Sequence, residues 1–287
     1  HYSLGIQHGQ KLAITTTPLA DELTLAVYAA ALRAGAHVHI NNVVPGADEV
    51  FFKNAGDAQL DFVSPVQRLI TETFDATLRI GAPSNTRSLS AAEPARVARA
   101  QRAAAPLTTL LMQRAARGEL AWCVTVYPTN AAAQEADMSL ADYQDFVYGA
   151  GMLDEDDPAE AWRQEGERQR KLVSWLAGRN HVVMKGANID LRLSIAGRRF
   201  KESDGKHNFP SGEVFTGPVE DSAQGWVRFR YPAIHSGREV TDIELWFENG
   251  RVAQEKASKG QELLTSLLNS DAGARYLGEW GIGTNYR

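Results

Sequence analysis

Cysteine is almost absent from this sequence of 287 residues. Cys123 is the single cysteine, and this excludes an internal disulfide and a zinc site built from several thiolates. It lies in the apolar run Ala121–Val126, which predicts a buried structural thiol rather than a nucleophile.

Long apolar runs and clusters of basic residues are also missing. No stretch of about 18 apolar residues occurs, so the sequence predicts no membrane-spanning helix and no membrane partner. The net charge is −5, and no run of Lys and Arg is long enough to follow a nucleic-acid backbone, so no nucleic acid is expected as a partner. No signal peptide is visible, which predicts a cytoplasmic location. The first residue is not Met, and we expect a trimmed N-terminus.

The N-terminal part alternates β-rich runs with runs of helical period. After the first predicted strand the chain continues with Pro18 and Leu19, without a glycine-rich phosphate loop, so a nucleotide site is not predicted. The alternation predicts an α/β domain with an open, largely parallel sheet, in which ligands would bind beyond the carboxyl ends of the strands. The predicted strands are 11–17, 37–43, 76–80 and 121–127, and the predicted helices are 19–34, 66–74 and 91–117.

The pattern of polar and apolar residues changes near residue 180, from helical spacing to the alternation typical of strands. Residues 131–176 are predicted to be mainly helical and to bridge two domains, and alternating polar and apolar residues follow. We therefore predict an α/β N-terminal domain over 1–179 and an α+β, antiparallel β-rich domain over 180–287. In the second domain, Asn249 and Gly250 predict a tight hairpin turn. Its predicted strands are 181–185, 189–195, 226–231, 240–247 and 251–255, and its predicted helices are 260–268 and 272–277.

Two groups of polar residues allow both a structural and a metal-binding interpretation. His37 and His39 alternate on one face of a predicted strand and could share a metal, but no third ligand is near in sequence, which favours structural histidines. The acidic residues 154–157 could bind a cation. Their position before Pro158 favours a solvated loop that begins a helix.

A more specific pattern places two carboxylates beside glycines. Glu213 follows Pro210, Ser211 and Gly212 and begins the β-prone run Val-Phe-Thr, whereas Glu279 lies in the segment Leu-Gly-Glu-Trp-Gly-Ile-Gly. Such rigid backbone settings suit carboxylates that bind a hard or borderline cation, because these ions need oxygen donors at fixed positions. A solvated Glu213 in a surface turn is the alternative when the local sequence is taken alone.

Taken together in order, these segments resemble the thermophilic-type metalloaminopeptidases of peptidase family M29, the aminopeptidase T and S group. The resemblance covers nearly the whole chain and is strongest over 208–218, 238–254 and 275–285. It extends to 127–131, 136–139 and 187–191, although the family often has Thr where this chain has Ile189.

The resemblance implies an open α/β domain followed by a catalytic domain, usually in a homodimer. It implies a metal-dependent aminopeptidase that removes N-terminal residues from peptides with two divalent metal ions (Zn, Co or Mn). Glu213 stands at the metal ligand of the family's G-E-V-F-T motif and Glu279 at that of its L-G-E motif. The family's other ligands, histidines and an aspartate, and a nearby tyrosine lie further towards the C-terminus. The site is therefore expected to be incomplete within residues 1–287.

Two histidines lie near these motifs without matching a ligand position of the family. His207 precedes the Glu213 turn and could orient it, although an exposed loop histidine is favoured, and His235 is expected at a strand edge. Two other hypotheses of function remain beside that of an enzyme. The chain could be a small-ligand-binding protein, or a dimerisation protein of the same fold without catalytic activity. A metal-independent ligand would favour the first of these.

Overall fold

A computed structural model describes residues 2–287, and over these residues the chain divides into two compact units. The first unit extends to Ala161 and includes Gly205–Ser211 and Arg287. The second unit comprises Trp162–Asp204 and Gly212–Tyr286. Each unit is therefore made of more than one segment of the sequence. The predicted domains 1–179 and 180–287 stay a prediction.

Strands and helices alternate in the first half of the chain, and strands dominate the second half. The helices are α1 Asp21–Arg33, preceded by a 3-10 turn Pro18–Ala20, α2 Ala47–Asn54, α3 Asp57–Leu60, α4 Pro65–Thr73, α5 Pro94–Ala116, α6 Asn130–Glu135, α7 Leu140–Ala150, α8 Pro158–Leu176 and α9 Gln261–Leu268. The strands are β1 Lys11–Thr16, β2 His37–Asn42, β3 Ala76–Gly81, β4 Ala121–Val126, β5 His181–Gly186, β6 Ile189–Ser194, β7 Lys201–Ser203, β8 Asn208–Phe209, β9 Glu213–Thr216, β10 Gln224–Phe229, β11 Ala233–His235, β12 Arg238–Val240, β13 Ile243–Glu248, β14 Arg251–Lys256 and β15 Trp280–Gly283.

The first unit is built on a parallel sheet with the strand order β2-β1-β3-β4-β8. Alternating strands and helices force this arrangement, because a parallel neighbour can be reached only by a crossover connection. The core consists of apolar side chains such as Leu12, Ile14, Leu78 and Ile80, all nearly inaccessible to solvent. The predicted open, largely parallel sheet is confirmed.

Cys123 lies on β4 inside this core, and the prediction of a buried thiol is confirmed. Burial raises the pKa of the thiol to about 11, against a small opposing effect of the Ser3 hydroxyl. The thiolate is therefore scarce at neutral pH, as expected of a structural cysteine.

The second unit is antiparallel, as predicted. One sheet has the order β14-β13-β10-β6-β5, and a smaller sheet has the order β15-β9-β7. The β13–β14 hairpin turns at Asn249 and Gly250, whose φ angles of 50° and 79° are those of the predicted tight turn. Among the described residues, none of the helices combines the length and apolar content needed to cross a membrane.

Two expectations about local structure were wrong. Residues 272–277 form turns instead of a helix, because Val252 N donates to the carbonyl oxygen of Arg275 at 2.8 Å and draws this segment beside β14. The predicted strand 240–247 is interrupted at Asp242, where φ is +51°. Strand β8 was not predicted from the sequence, and it lies beside β4 in the parallel sheet.

Candidate metal-binding site

The smaller sheet of the second unit carries Glu213. Glu213 begins the central strand β9, and it faces Ser203 on β7 and Gly283 on β15. Residues that face each other across antiparallel strands have their side chains on one side of the sheet. The backbone of Glu213 is thus held from both sides.

Gly212 fixes the chain immediately before this carboxylate. Its N–H donates to the carbonyl oxygen of Ser203 at 3.0 Å, and its own carbonyl oxygen accepts from Thr284 N at 2.8 Å. Its φ is +121°, and a Cβ added here would lie 2.3 Å from the Cβ of Asn285. Both the backbone angle and the close approach of Asn285 therefore require glycine at this position.

The carboxylate of Glu213 lies over the backbone of β15. A Cβ added to Gly281 would be 3.1 Å from Glu213 Oε2, so the missing side chain of this glycine leaves the space that the carboxylate uses. Glu279 directly precedes β15, two residues before Gly281, and its negative charge acts on Glu213. The two predicted ligands, 66 positions apart in the sequence, are therefore neighbours in the fold.

The two carboxylates repel each other. Partial burial, followed by the negative charge of Glu279, raises the pKa of Glu213 above its ordinary value. Over residues 2–287, neither carboxylate forms an ion pair or side-chain hydrogen bond. A divalent cation bound between two neighbouring unpaired carboxylates would relieve their repulsion.

These donors fit a metal ion only as part of a ligand set. In the described part of the chain, no group of three or more His, Cys, Asp and Glu side chains is placed to hold a metal. Glu213 and Glu279 alone are too few donors for a metal ion, and further ligands would be needed to hold one.

The other residues considered from the sequence lie apart from this pair. His37 and His39 are exposed on β2, the outer strand of the parallel sheet, and His39 contacts the ring of Phe74 edge-on. His207 stacks on Trp122 with ring centroids 4.5 Å apart. None of these histidines belongs to a cluster of three metal-binding side chains within residues 2–287.

His235 and the acidic residues 154–157 also have contacts that are explained by the local structure. His235 is exposed in the β11–β12 hairpin and faces Arg238, as expected for a strand edge. Asp157 accepts a hydrogen bond from Glu160 N at 3.0 Å and so caps the start of α8, while Asp154 forms an ion pair with Arg287. The helix-starting interpretation of this acidic segment is confirmed.

A polar stripe on α8 was missed from the sequence. Gln169 and Glu165 are almost fully buried on the same helix face as Trp162 and Leu176. The spacing of these positions places them on one side of a helix, and this spacing is the signal in the sequence that indicates a buried face. Trp175 on the same helix is, by contrast, 59% exposed and stacks against Arg179.

The alternative of a small-ligand site has a counterpart in the first unit. A cavity of about 420 Å³ lies where β1, β2 and β3 end, lined among others by Thr17, Gly46 and Ser84. The cavity lies at the carboxyl ends of the parallel strands, where the strand order reverses between β1 and β3. Ligands commonly bind at this position in such sheets.

Comparison with known proteins finds relatives that are named aminopeptidases. The chain is 29% identical to Aminopeptidase 2 of Geobacillus stearothermophilus over 227 residues, which are 73% of this chain and 55% of that protein. It is 26% identical to Aminopeptidase T of Thermus thermophilus over 96% of this chain and 73% of that protein. The chain thus spans little more than half the length of the first relative.

A solved structure shares the fold. Wild-type AmpT from Thermus thermophilus matches with a TM-score of 0.82 and 24% identity, over 98% of this chain and 75% of that chain. The family model described as Peptidase_M29, thermophilic metalloprotease (M29), matches residues 1–287. The chain therefore belongs to the M29 family of thermophilic metalloproteases.

Proposed function

We propose that this chain acts in a metal-dependent aminopeptidase and that Glu213 and Glu279 are two of its metal ligands. One observation carries the proposal: two carboxylates far apart in sequence lie close enough at the β7-β9-β15 sheet for their charges to interact, and within residues 2–287 neither has a basic partner. Membership of a metalloprotease family and relatives named aminopeptidases support the reaction class.

The residues present have defined roles in this proposal. Glu213 is held by its neighbours on β7 and β15 and supplies a carboxylate whose position is restricted by the backbone. Glu279 supplies the second carboxylate from the segment before β15. Divalent metal ions bound there would lower the pKa of a bound water and polarise the carbonyl of the cleaved peptide bond. We propose two such ions, of Zn, Co or Mn, because a carboxylate can be shared between neighbouring ions.

The test is hydrolysis of an aminoacyl-p-nitroanilide by the intact protein before and after metal removal with EDTA. We expect Glu213→Gln to abolish metal-dependent release of the amino acid, because the amide is a poor ligand and cannot carry the negative charge. Glu220→Gln is the matched control, since Glu220 is exposed in the same unit. Full metal-dependent activity in Glu213→Gln would refute the assignment.

The proposal extends to the substrate, the assembly and the location of the protein. We propose peptides with a free N-terminus as substrates, a homodimer as the assembly and the cytoplasm as the location. A single cysteine is compatible with a reducing compartment. Light scattering after gel filtration should give twice the mass of the intact chain, and a monomer mass would contradict the homodimer.

A further inference from the structure

Helix α8 buries polar side chains where apolar ones would pack more easily. Trp162 and Leu176 are buried on this face, as expected of an amphipathic helix, but Glu165 and Gln169 lie between them at 1% and 0% exposure. An amide buried without hydrogen bonds is destabilising, because it gives up its bonds to water without replacing them. A glutamine at such a position therefore depends on what its carboxamide binds.

The carboxamide of Gln169 binds two strands at once. Its Nε2 donates to the carbonyl oxygen of Ser203 at 3.2 Å and to Oγ1 of Thr284 at 3.0 Å. Ser203 faces Glu213 from β7, and Thr284 directly follows Gly283, which faces Glu213 from β15. One side chain thus joins the two outer strands next to the residue that carries the carboxylate.

The donors of Gln169, rather than its oxygen, determine its orientation. Oε1 is buried, and within residues 2–287 no group donates to it. Reversing the amide would place this oxygen against the carbonyl oxygen of Ser203, where two acceptors repel. The contribution of Gln169 to the sheet is therefore the pair of hydrogen bonds from Nε2.

These contacts continue into the backbone that orients Glu213. Thr284 N and Asn285 N both approach the carbonyl oxygen of Gly212, at 2.8 and 3.3 Å, and Gly212 N donates to Ser203. The acceptors held by Gln169 hence belong to the two residues that hold Gly212. A shift of either would move the start of β9.

We propose that Gln169 is a positioning residue for the Glu213 carboxylate and thereby tunes the affinity of the site for divalent metal. The inference rests on the proposed metal site. Groups that orient a ligand from outside the coordination shell typically contribute about 10–100-fold to metal affinity.

The test compares Gln169→Met with Gln254→Met in the intact protein. Methionine fills a similar volume without donors, and Gln254 is an exposed glutamine on β14 of the same unit. Calorimetric titration with Zn²⁺ and Mn²⁺ should show about tenfold weaker binding or more for Gln169→Met, and no change for Gln254→Met. Hydrogen exchange of the Thr284 and Asn285 amides should become about tenfold faster only in Gln169→Met.

A milder pair of variants covers the case in which Gln169→Met does not fold. Thr284→Val removes the accepting hydroxyl but keeps the branched shape, whereas Thr284→Ser keeps the hydroxyl. We expect Thr284→Val to weaken metal binding and Thr284→Ser to restore it close to the original affinity. Equal affinity in the two variants would overturn the role of this hydrogen bond.

The two proposals fail in different ways. If the unaltered protein binds no divalent metal, the proposed function fails, and the exchange of the Thr284 and Asn285 amides still decides whether Gln169 holds the strands. If the unaltered protein binds metal and Gln169→Met binds it equally well with unchanged amide exchange, the positioning role is refuted and the proposed function stands.

Discussion

Replacement of Gly281 by alanine should disturb the carboxylate of Glu213 while leaving the fold in place. The added Cβ would lie 3.1 Å from Glu213 Oε2 and 3.4 Å from the Cβ of Phe215. The second distance is an ordinary contact, but the first forces the carboxylate to withdraw by a few tenths of an ångström. The carboxylate lies at the end of a flexible side chain, so it can rotate away without unfolding the sheet.

The same strand provides a matched control. Gly283 lies two residues further along β15 on the same face, and an added Cβ there meets no atom within 4 Å. Neither glycine has a positive φ angle, so alanine is compatible with the backbone at both positions. Gly283→Ala should raise the free energy of unfolding by about 0.4–1 kcal/mol through the unfolded chain. In Gly281→Ala the crowding should offset this gain.

The decisive measurement is metal affinity, determined for both variants by calorimetry with Zn²⁺ and Mn²⁺ and accompanied by urea unfolding. We expect Gly281→Ala to bind about tenfold more weakly than Gly283→Ala, because a ligand must be held within about 0.5 Å of its productive position. Equal affinities at similar stability would show that the space over Gly281 does not matter for binding, and would remove the geometric basis of the proposed site.

Three further predictions concern the stability of the fold and the reactivity of its cysteine. Gly212→Ala should lower the free energy of unfolding by about 2 kcal/mol or more, because its φ is +121° and its Cβ would lie 2.3 Å from that of Asn285; unchanged urea unfolding would contradict this. Arg275 lowers the pKa of Glu255, so this carboxylate stabilises the fold above its unfolded pKa of about 4.3, and the gain is lost as pH falls through the lower folded pKa. The stability difference between the parent protein and Glu255→Gln should therefore shrink in acid, and a constant difference from pH 7 to pH 2 would be the contrary result. Cys123, with its pKa raised to about 11 by burial, should react with iodoacetamide far more slowly at pH 8 in the folded protein than in urea, as mass spectrometry would report.

Local patterns were sufficient for much of the fold. Helix α8 begins at Pro158 as predicted, because proline suits the first turn and the preceding carboxylates favour the positive end of a helix. The Asn249-Gly250 turn follows from the positive φ angles that these two residues tolerate. Segment 272–277 could not be predicted in this way, since its turns depend on a hydrogen bond to Val252 on a distant strand.

By itself, the sequence determined the class of the two parts of the chain, the family resemblance and the choice of Glu213 and Glu279 as candidate ligands. These conclusions depend on residue types and short spacings. Only the tertiary structure decided that the two carboxylates are neighbours, that Gly281 leaves room beneath Glu213 and that Gln169 joins the strands beside it. The physical reason is that strand register and burial are set by pairing between segments far apart in the chain, and no local spacing encodes them.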